Sequence, residues 1–259
     1  MLHRGMLRRV LVRSLSSSGA PRVLPAASGD VRLVLERSIA RRESSRALAA
    51  FDKLQEDCAT QDVQLMQQLA LLVAKRGQPH EAPRAAKILR HVLSQPDFEA
   101  DDATQLAAIY TMDACLRRKR LEDALLLFQA ATEKDILVDL PAVDALLQAL
   151  VDAHRVDEAV TILGKVTESH DVRPTEQTFQ PVLIAIMQQR RYEDVMTLIE
   201  HGRAHDVDFS PETYDPLVDL SEQQYTTENV EQLGKFMQYV NDTLRADGVS
   251  GSKLENEEA

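Results

Sequence analysis

The chain has 259 residues, a formal net charge of −11 and 27% charged side chains. It contains no tryptophan and only nine glycines, and it is rich in alanine, leucine, glutamate and glutamine, which lose little side-chain freedom in a helix. Two cysteines, Cys58 and Cys115, are too few for a disulfide scaffold and lack the spacing of metal ligands. No run of about 18 apolar residues occurs, so the sequence predicts no membrane span.

The charge is distributed unevenly along the chain. Residues 1–29 contain five arginines and no acid, so residues 30–259 are five units more negative than the whole chain, at −16. A segment with this negative charge repels polyanions over its surface as a whole. The composition therefore argues against strong nonspecific binding of nucleic acid, and no binding of DNA is expected.

Residues 1–29 have the composition of a targeting segment. They are rich in arginine and serine, and arginines interrupt the continuous apolar core that a secretory signal would need. A positively charged amphipathic helix of this kind is typical of mitochondrial and chloroplast transit peptides. We predict a mitochondrial transit peptide, cleaved between Arg13 and Asp30, and a location in the matrix. The alternative is a basic arm that binds RNA or acidic lipid.

A repeat of 35 to 36 residues runs through the second half of the chain. Its four clearest copies are centred on Ala124, Ala159, Val195 and Val230. Each centre is followed three or four residues later by apolar side chains, which makes one apolar stripe on a helix. Looser copies precede them at Ala85 and Ala47, where longer loops such as residues 78–80 and 94–97 absorb the extra length.

A second apolar stripe lies between these copies and predicts another helix in each repeat. It runs from Val143 to Val151 and recurs 36 residues later from Phe179 to Met187. The stripe that begins at Tyr214 is interrupted at Ser221 and Glu222, as expected at the end of an array that no further repeat covers. The sequence predicts an all-α fold, an α-solenoid of about six helix–turn–helix repeats over residues 30–247, and an acidic, disordered tail over residues 248–259.

The turns within the predicted helix pairs carry matched charges. Basic residues end the first helices, and acidic residues open the second helices. Cations at a helix C-terminus and anions at an N-terminus complement the helix dipoles, and this is one interpretation of both rows. The other interpretation is a basic ledge that holds phosphates. The candidate phosphate-facing residues are Arg117, Arg118, Lys119, Arg120, Arg190 and Arg191.

Three strings resemble pentatricopeptide repeats. Residues 173–180 and 211–215 place a proline, a short extended link and Thr-aromatic-polar at the start of a helix, and residues 155–159 read Arg-Val-Asp-Glu-Ala. The resemblance is clearest over residues 141–225, weaker over 104–140 and faint over 31–103. It implies a two-helix solenoid in an organelle and binding of single-stranded RNA.

The resemblance also implies positions that read RNA bases. They are the polar residue after the aromatic of each first helix and the last residue of the repeat. The pairs at these positions are Ile109 with Asp139, Asp144 with Thr175, and Gln180 with Ser210, and Asp215 is the first member in the last repeat. The sequence departs from the family pattern here, because Ile109 forms no hydrogen bond and an ionised aspartate only accepts them.

Motifs for catalysis are missing from the sequence. It has no glycine-rich phosphate loop and no Cys-x-x-Cys or His-x-Glu motif. We therefore predict no enzymatic activity, no cofactor and no metal. Two functions remain: an RNA-binding factor in transcript processing, stability or translation, or a scaffold that binds protein partners on its concave face. The scaffold would be an accessory subunit of a mitochondrial ribosome or respiratory complex.

Overall fold

The computed structural model describes residues 28–56, 62–95, 98–169 and 172–246. Within these ranges it contains twelve α-helices, one short 3-10 turn at Pro79–Glu81 and no β-strand. The helices are α1 (Ser28–Ala40), α2 (Ser44–Glu56), α3 (Val63–Arg76), α4 (Ala82–Leu93), α5 (Asp102–Arg117), α6 (Leu121–Thr132), α7 (Leu140–Asp152), α8 (Val156–Glu168), α9 (Glu176–Gln188), α10 (Tyr192–Ala204), α11 (Pro211–Gln223) and α12 (Val230–Ala246). The predicted transit peptide, apart from its last two residues, and the predicted tail lie outside the described residues.

The helices form six consecutive pairs arranged in two layers. The odd-numbered first helices pack each against the next, from α1 and α3 through to α9 and α11. The even-numbered second helices form the other layer, in which α4 packs against α6, α8 against α10, and α10 against α12. The predicted all-α solenoid of six helix–turn–helix repeats is confirmed by this arrangement. None of the described helices has the length and apolar character of a membrane span.

The second helices are held close to their neighbours by small residues. Ala47, Ala85, Ala124 and Ala159, which the repeat pattern places at equivalent positions, are all fully buried. An alanine at a helix crossing lets two backbones approach, and the larger side chains on either side then fill the remaining space. The alanine centres of these four repeats are therefore part of the buried core.

The last repeat differs from the prediction at two residues. Val230 is 44% exposed, because α12 begins at this residue and buries Leu233, Phe236 and Val240 instead. Ser221, predicted to interrupt the apolar stripe at the solvent-facing end, is fully buried, and its hydroxyl donates to the Val218 carbonyl at 2.7 Å. A serine tolerates burial because it satisfies its own hydrogen bond within the helix.

Left-handed backbone recurs at the turn between the two helices of a pair. Arg42, Lys119, His154 and Arg190 all have φ between 56° and 60°. One residue in this conformation after a helix reverses the chain and caps the last carbonyls. The repeat thus re-uses one turn geometry, although glycine, the residue best suited to it, is absent from these four positions.

Cys115 is fully buried on α5, and Cys58 lies outside the described residues. Burial raises the pKa of the Cys115 thiol to about 12. The nearest acceptor is the carbonyl oxygen of Ala82 on α4, 3.8 Å from the sulfur. This thiol is therefore a packing group between two helices, protonated at neutral pH.

The space around Gly202 in repeat five is tightly packed. A Cβ at this position would lie 2.8 Å from Cζ of Phe209 and 3.1 Å from Cε1 of Phe179, whose rings meet edge to face. Gly202→Ala should therefore lower the free energy of unfolding by about 1–2 kcal/mol through overpacking. The measurement is the urea midpoint followed by circular dichroism.

Gly164 in α8 provides the matched control, since a Cβ there would meet nothing within 4 Å. Gly164→Ala should raise stability by roughly 0.5–1 kcal/mol, because alanine favours the helix over glycine. Equal effects of the two substitutions would show that the Phe179–Phe209 contact does not limit the space around Gly202.

Candidate nucleic-acid interface

The first-helix layer carries a gradient of charge along the array. Helix α3 ends in Lys75 and Arg76 and contains no acid, and α5 ends in Arg117 but also contains Asp102 and Asp113. Helices α7 and α9 have no basic residue in their last turns. Helix α11 exposes four acids and no cation. They are Glu212, Asp215, Asp219 and Glu222. A polyanion is therefore attracted to the α3–α5 end of this layer and repelled from the α11 end.

An exposed aromatic side chain lies at the basic end. Tyr110 on α5 is 37% exposed, and the Nζ atom of Lys75 on α3 lies 4.0 Å from the centre of its ring. Arg117 lies seven residues further along α5, on the same face as Tyr110. We call Lys75, Arg76, Tyr110 and Arg117 the Tyr110 patch. It combines a π-surface with three cations, the pairing that sequence-tolerant sites for single-stranded nucleic acid use.

The four residues predicted to read bases from the first helices occupy equivalent places but differ in surroundings. Ile109 is half-buried and packs against the apolar core. Asp144 and Gln180 are half-buried, and Asp215 is exposed. Oδ1 of Asp144 is buried and has no hydrogen-bond partner among the described residues. Only Asp144, Gln180 and Asp215 therefore offer polar atoms at this position.

The residues predicted as their partners sit at the N-caps of the next first helices. Asp139 precedes α7 and accepts from the backbone N–H of Ala142 at 3.3 Å. Thr175 precedes α9, and Ser210 precedes α11. The end of one repeat is thus also the start of the next helix, where a short polar side chain is preferred for capping alone. Their role toward a base stays a prediction.

Ser210 is also part of a clamp between repeats five and six. The Ser210 backbone N–H and hydroxyl donate to Oε2 of Glu176 at 2.8 and 2.7 Å, and the Thr213 hydroxyl donates to the same atom at 2.8 Å. These hydrogen bonds hold the pKa of Glu176 below its ordinary value, and the one from the Ser210 backbone N–H has the largest effect. The Ser210 hydroxyl would have to leave Glu176 before it could bind RNA.

A polar groove runs between α7 and α9 beside Gln180. It has a volume of about 800 Å³, and Gln148, Gln180, Gln188 and Gln189 line it together with Asp152. A carboxamide both donates and accepts hydrogen bonds, so glutamines can pair with base edges of either polarity. Gln180 is the member of the predicted base-facing set that lines this groove.

Most of the predicted phosphate-facing cations have partners within the protein. Arg117 pairs with Asp113 at 2.5 Å, and Arg120 pairs with Asp123 at 2.9 Å. Arg118 donates to the carbonyl oxygen of Ala114 at 2.9 Å. These three arginines would exchange an internal partner for a phosphate.

An arginine that opens a second helix also joins neighbouring repeats. Arg191 binds Asp194 of its own repeat and Asp157 of the preceding one, both at 2.6 Å. Arg155 makes the same two contacts one repeat earlier, with Glu158 and Glu122. Hydrogen bonds to these carboxylates raise the pKa of both arginines. The ion pairs favour the structural interpretation of the charged turns.

Two of the predicted phosphate-facing residues keep unpaired charges. Lys119 and Arg190 are exposed at left-handed turn positions, and neither forms an ion pair with any residue that the structure describes. Tyr110, in contrast, was not identified from the sequence. The available signal was an aromatic residue on α5 that lies seven residues before Arg117, at the spacing of one helix face. Among the described residues, no group of three or more His, Cys, Asp or Glu side chains could hold a metal ion.

No family model matches the sequence, and no curated protein matches it. Solved structures of pentatricopeptide repeat proteins are similar to it. For PPR10 from maize the identity is 14% and the TM-score 0.46, over 85% of this chain and 30% of PPR10. A structure of PPR10 with an 18-nt psaJ RNA element has 14% identity and a TM-score of 0.39, over 83% of this chain and 31% of that chain.

The repeat domain of Arabidopsis thaliana protein-only RNase P 1, solved in complex with tRNA, is another similar structure. It has 13% identity and a TM-score of 0.37, over 84% of this chain and 91% of that chain. These proteins belong to the family that the sequence resembles, and the chain spans less than a third of PPR10. The twelve helices of the described residues establish the fold.

The Glu176 clamp predicts a pH-dependent contribution to stability. Because its folded pKa is lowered, the contribution is present above the pKa of the unfolded carboxyl and is lost as pH falls through the folded pKa. Glu176→Gln should cost about 1 kcal/mol at pH 7, and the difference from the unmodified chain should shrink toward pH 3. Urea midpoints measured across this pH range test the prediction.

Glu168→Gln is the control for this experiment, since Glu168 is exposed at the end of α8. It should change the midpoint little at any pH. A loss in Glu176→Gln that is the same at pH 3 and pH 7 would contradict an ionised clamp.

Proposed function

We propose that this protein is a non-enzymatic, RNA-binding helical repeat protein of the mitochondrial matrix, acting in transcript processing, stability or translation. Single-stranded RNA binds across the first-helix layer at its basic end, on α3 and α5. The observation that carries this proposal is the Tyr110 patch, where an exposed ring and the Lys75 ammonium lie 4.0 Å apart.

The Tyr110 patch suits a single strand better than a duplex. An unpaired base presents a π-face that can stack on the exposed part of the Tyr110 ring, whereas bases inside a duplex are already stacked. Lys75 and Arg117 then lie within reach of the phosphates on either side of that base. The acids of α11 keep the strand away from the other end of the layer, so the bound segment is short.

The groove between α7 and α9 extends this site toward the middle of the array. Its glutamines have no formal charge, so they neither attract nor repel the backbone and can bind bases. Gln180 and Asp144 remain candidates for base contacts, together with Thr175 and Asp139 at the helix N-caps. Lys119 and Arg190, with their unpaired charges, are the candidates for phosphate contacts outside the patch.

The proposed location in the mitochondrial matrix and the proposed role with transcripts are inferred from the sequence. The arginine-rich, acid-free residues 1–29 support import into mitochondria, and the resemblance to pentatricopeptide repeats supports a role with transcripts.

RNA binding is tested by fluorescence anisotropy with a labelled single-stranded RNA of roughly 20 nucleotides. The full chain is used, with the arginines of residues 1–29 changed to glutamine so that they do not contribute. Tyr110→Ala should weaken binding about fivefold, because stacking of one base is lost. Lys75→Gln with Arg117→Gln should also lower the slope of log affinity against log salt by about 1.4, or 0.7 for each phosphate contact.

Matched controls separate the patch from general effects of charge and aromaticity. Tyr225 is 61% exposed in the loop before α12, and Tyr225→Ala should leave the affinity unchanged. Lys53→Gln removes one exposed cation from α2 and should leave the salt slope unchanged. Equal losses in the Tyr110 and Tyr225 variants, or no measurable RNA binding, would overturn the proposal and favour the protein scaffold.

A further inference from the structure

The second-helix layer contains one helix whose charges are all positive. Helix α4 carries Arg84, Lys87, Arg90 and His91 and no acid, whereas α2, α6, α8, α10 and α12 each contain at least one acid. Residues 84, 87 and 91 are spaced at i, i+3 and i+7, which places them on one face of the helix. This local excess of cations stands out in a chain whose residues 30–259 carry −16.

The cations of α4 form one wall of a groove. The groove lies between α4 and α6, has a volume of about 710 Å³ and is lined on the α4 side by Pro83, Lys87 and Arg90. Arg84 pairs with Asp52 of α2. Lys87 and Arg90 form no ion pair with any of the residues described in the structure, so their charges are available to a ligand.

The opposite wall has a short apolar strip with polar side chains, among them Gln129, around it. Helix α6 contributes Leu126, which is 39% exposed, and Ala130 one turn further on. Asp123 and Glu133 lie on this wall on either side of them. Leu126 faces the groove although every other second helix packs its leucines into the core. Leu126 and Ala130 thus form a short apolar strip in the same groove as the unpaired cations of α4.

The side chains on the two walls indicate which class of ligand fits the groove. A nucleic-acid strand would bring its phosphates to Lys87 and Arg90, but its charged backbone would leave the apolar strip of Leu126 and Ala130 uncovered. His91 contributes an imidazole ring to the lining, but no tyrosine or phenylalanine lies there to stack a base. A peptide helix with acids on one side and apolar residues on the other satisfies both walls, since its acids meet the α4 cations and its apolar side chains cover Leu126 and Ala130.

We propose that the groove between α4 and α6 binds an acidic amphipathic helix of a partner protein. From Pro83 to Ser94 the groove follows α4 for roughly 17 Å, the length of about three helical turns. Side-by-side helices leave a groove that a third helix can fill with its ridge of side chains. The site lies on the layer opposite the Tyr110 patch and does not depend on RNA binding.

The probe is a fluorescently labelled synthetic peptide of roughly four helical turns, with leucines at i, i+4, i+7 and i+11 and glutamates at most other positions. Anisotropy is measured with the full chain at low and moderate salt. Lys87→Glu with Arg90→Glu should weaken binding at least tenfold and remove most of the salt dependence. Leu126→Ser should weaken binding about fivefold without changing the salt dependence.

Controls distinguish this site from general attraction to a cation. Lys53→Glu reverses one exposed charge on α2 and should leave peptide affinity unchanged. A scrambled peptide of the same composition, without the leucine stripe, should bind at least fivefold more weakly. Should the double variant of α4 fail to give the helical circular dichroism spectrum of the unmodified chain, Lys87→Gln alone and Leu126→Ser carry the test.

Three results would overturn the proposal. The first is equal peptide affinity in the α4 double variant and in Lys53→Glu. The second is equal binding of the ordered and scrambled peptides. The third is competition by single-stranded RNA that depends on Lys87 and Arg90, which would assign the groove to nucleic acid.

Discussion

The structure depends on one constraint: each helix pair buries its apolar face mainly against the pairs beside it. The fully buried alanines of the second helices, from Ala47 to Ala159, make this possible because they let neighbouring helices approach. Stability of such an array is a sum of local terms and contacts between adjacent repeats. Contacts that cross repeat boundaries, such as the Glu176 clamp and the ion pairs of Arg155 and Arg191, therefore reinforce the same interfaces that the apolar residues create.

This constraint explains which parts of the fold could be predicted from the sequence. The interior repeats meet the same requirement each time, so the same residue types recur at the same spacing and the six helix pairs are readable. No further repeat follows the last one among the described residues, and there the repeat pattern predicts the burial of two residues wrongly. Val230 occupies a repeat centre yet is exposed, and Ser221 looks like a break yet is covered by α12. Both outcomes depend on where α12 begins, which the periodicity of earlier repeats does not determine.

The candidate site could be predicted only in part, for a related reason. Positions defined within one repeat, such as Gln180 on α9 or Thr175 before it, follow from the register. One position has two uses, however, because the last residue of a repeat caps the next helix and Ser210 is already bound to Glu176. The Tyr110 patch joins α3 to α5 across a longer and irregular connection. Its geometry follows from the packing of two helices and is not contained in the spacing of residues.

The distribution of charge keeps the two proposed ligand sites apart. In repeats three to five, carboxylates neutralise the arginines that open the second helices, so these turns have little net attraction for anions. Repeat two has cations without an ion pair among the described residues on both layers, with Lys75 and Arg76 on the first-helix layer and Lys87 and Arg90 on the second. The two sets belong to opposite layers, so an RNA strand at Tyr110 and a partner helix at Leu126 need not compete. Because electrostatic attraction at moderate salt decays within about 10 Å, each set attracts its own ligand while the acidic remainder of the chain repels other polyanions.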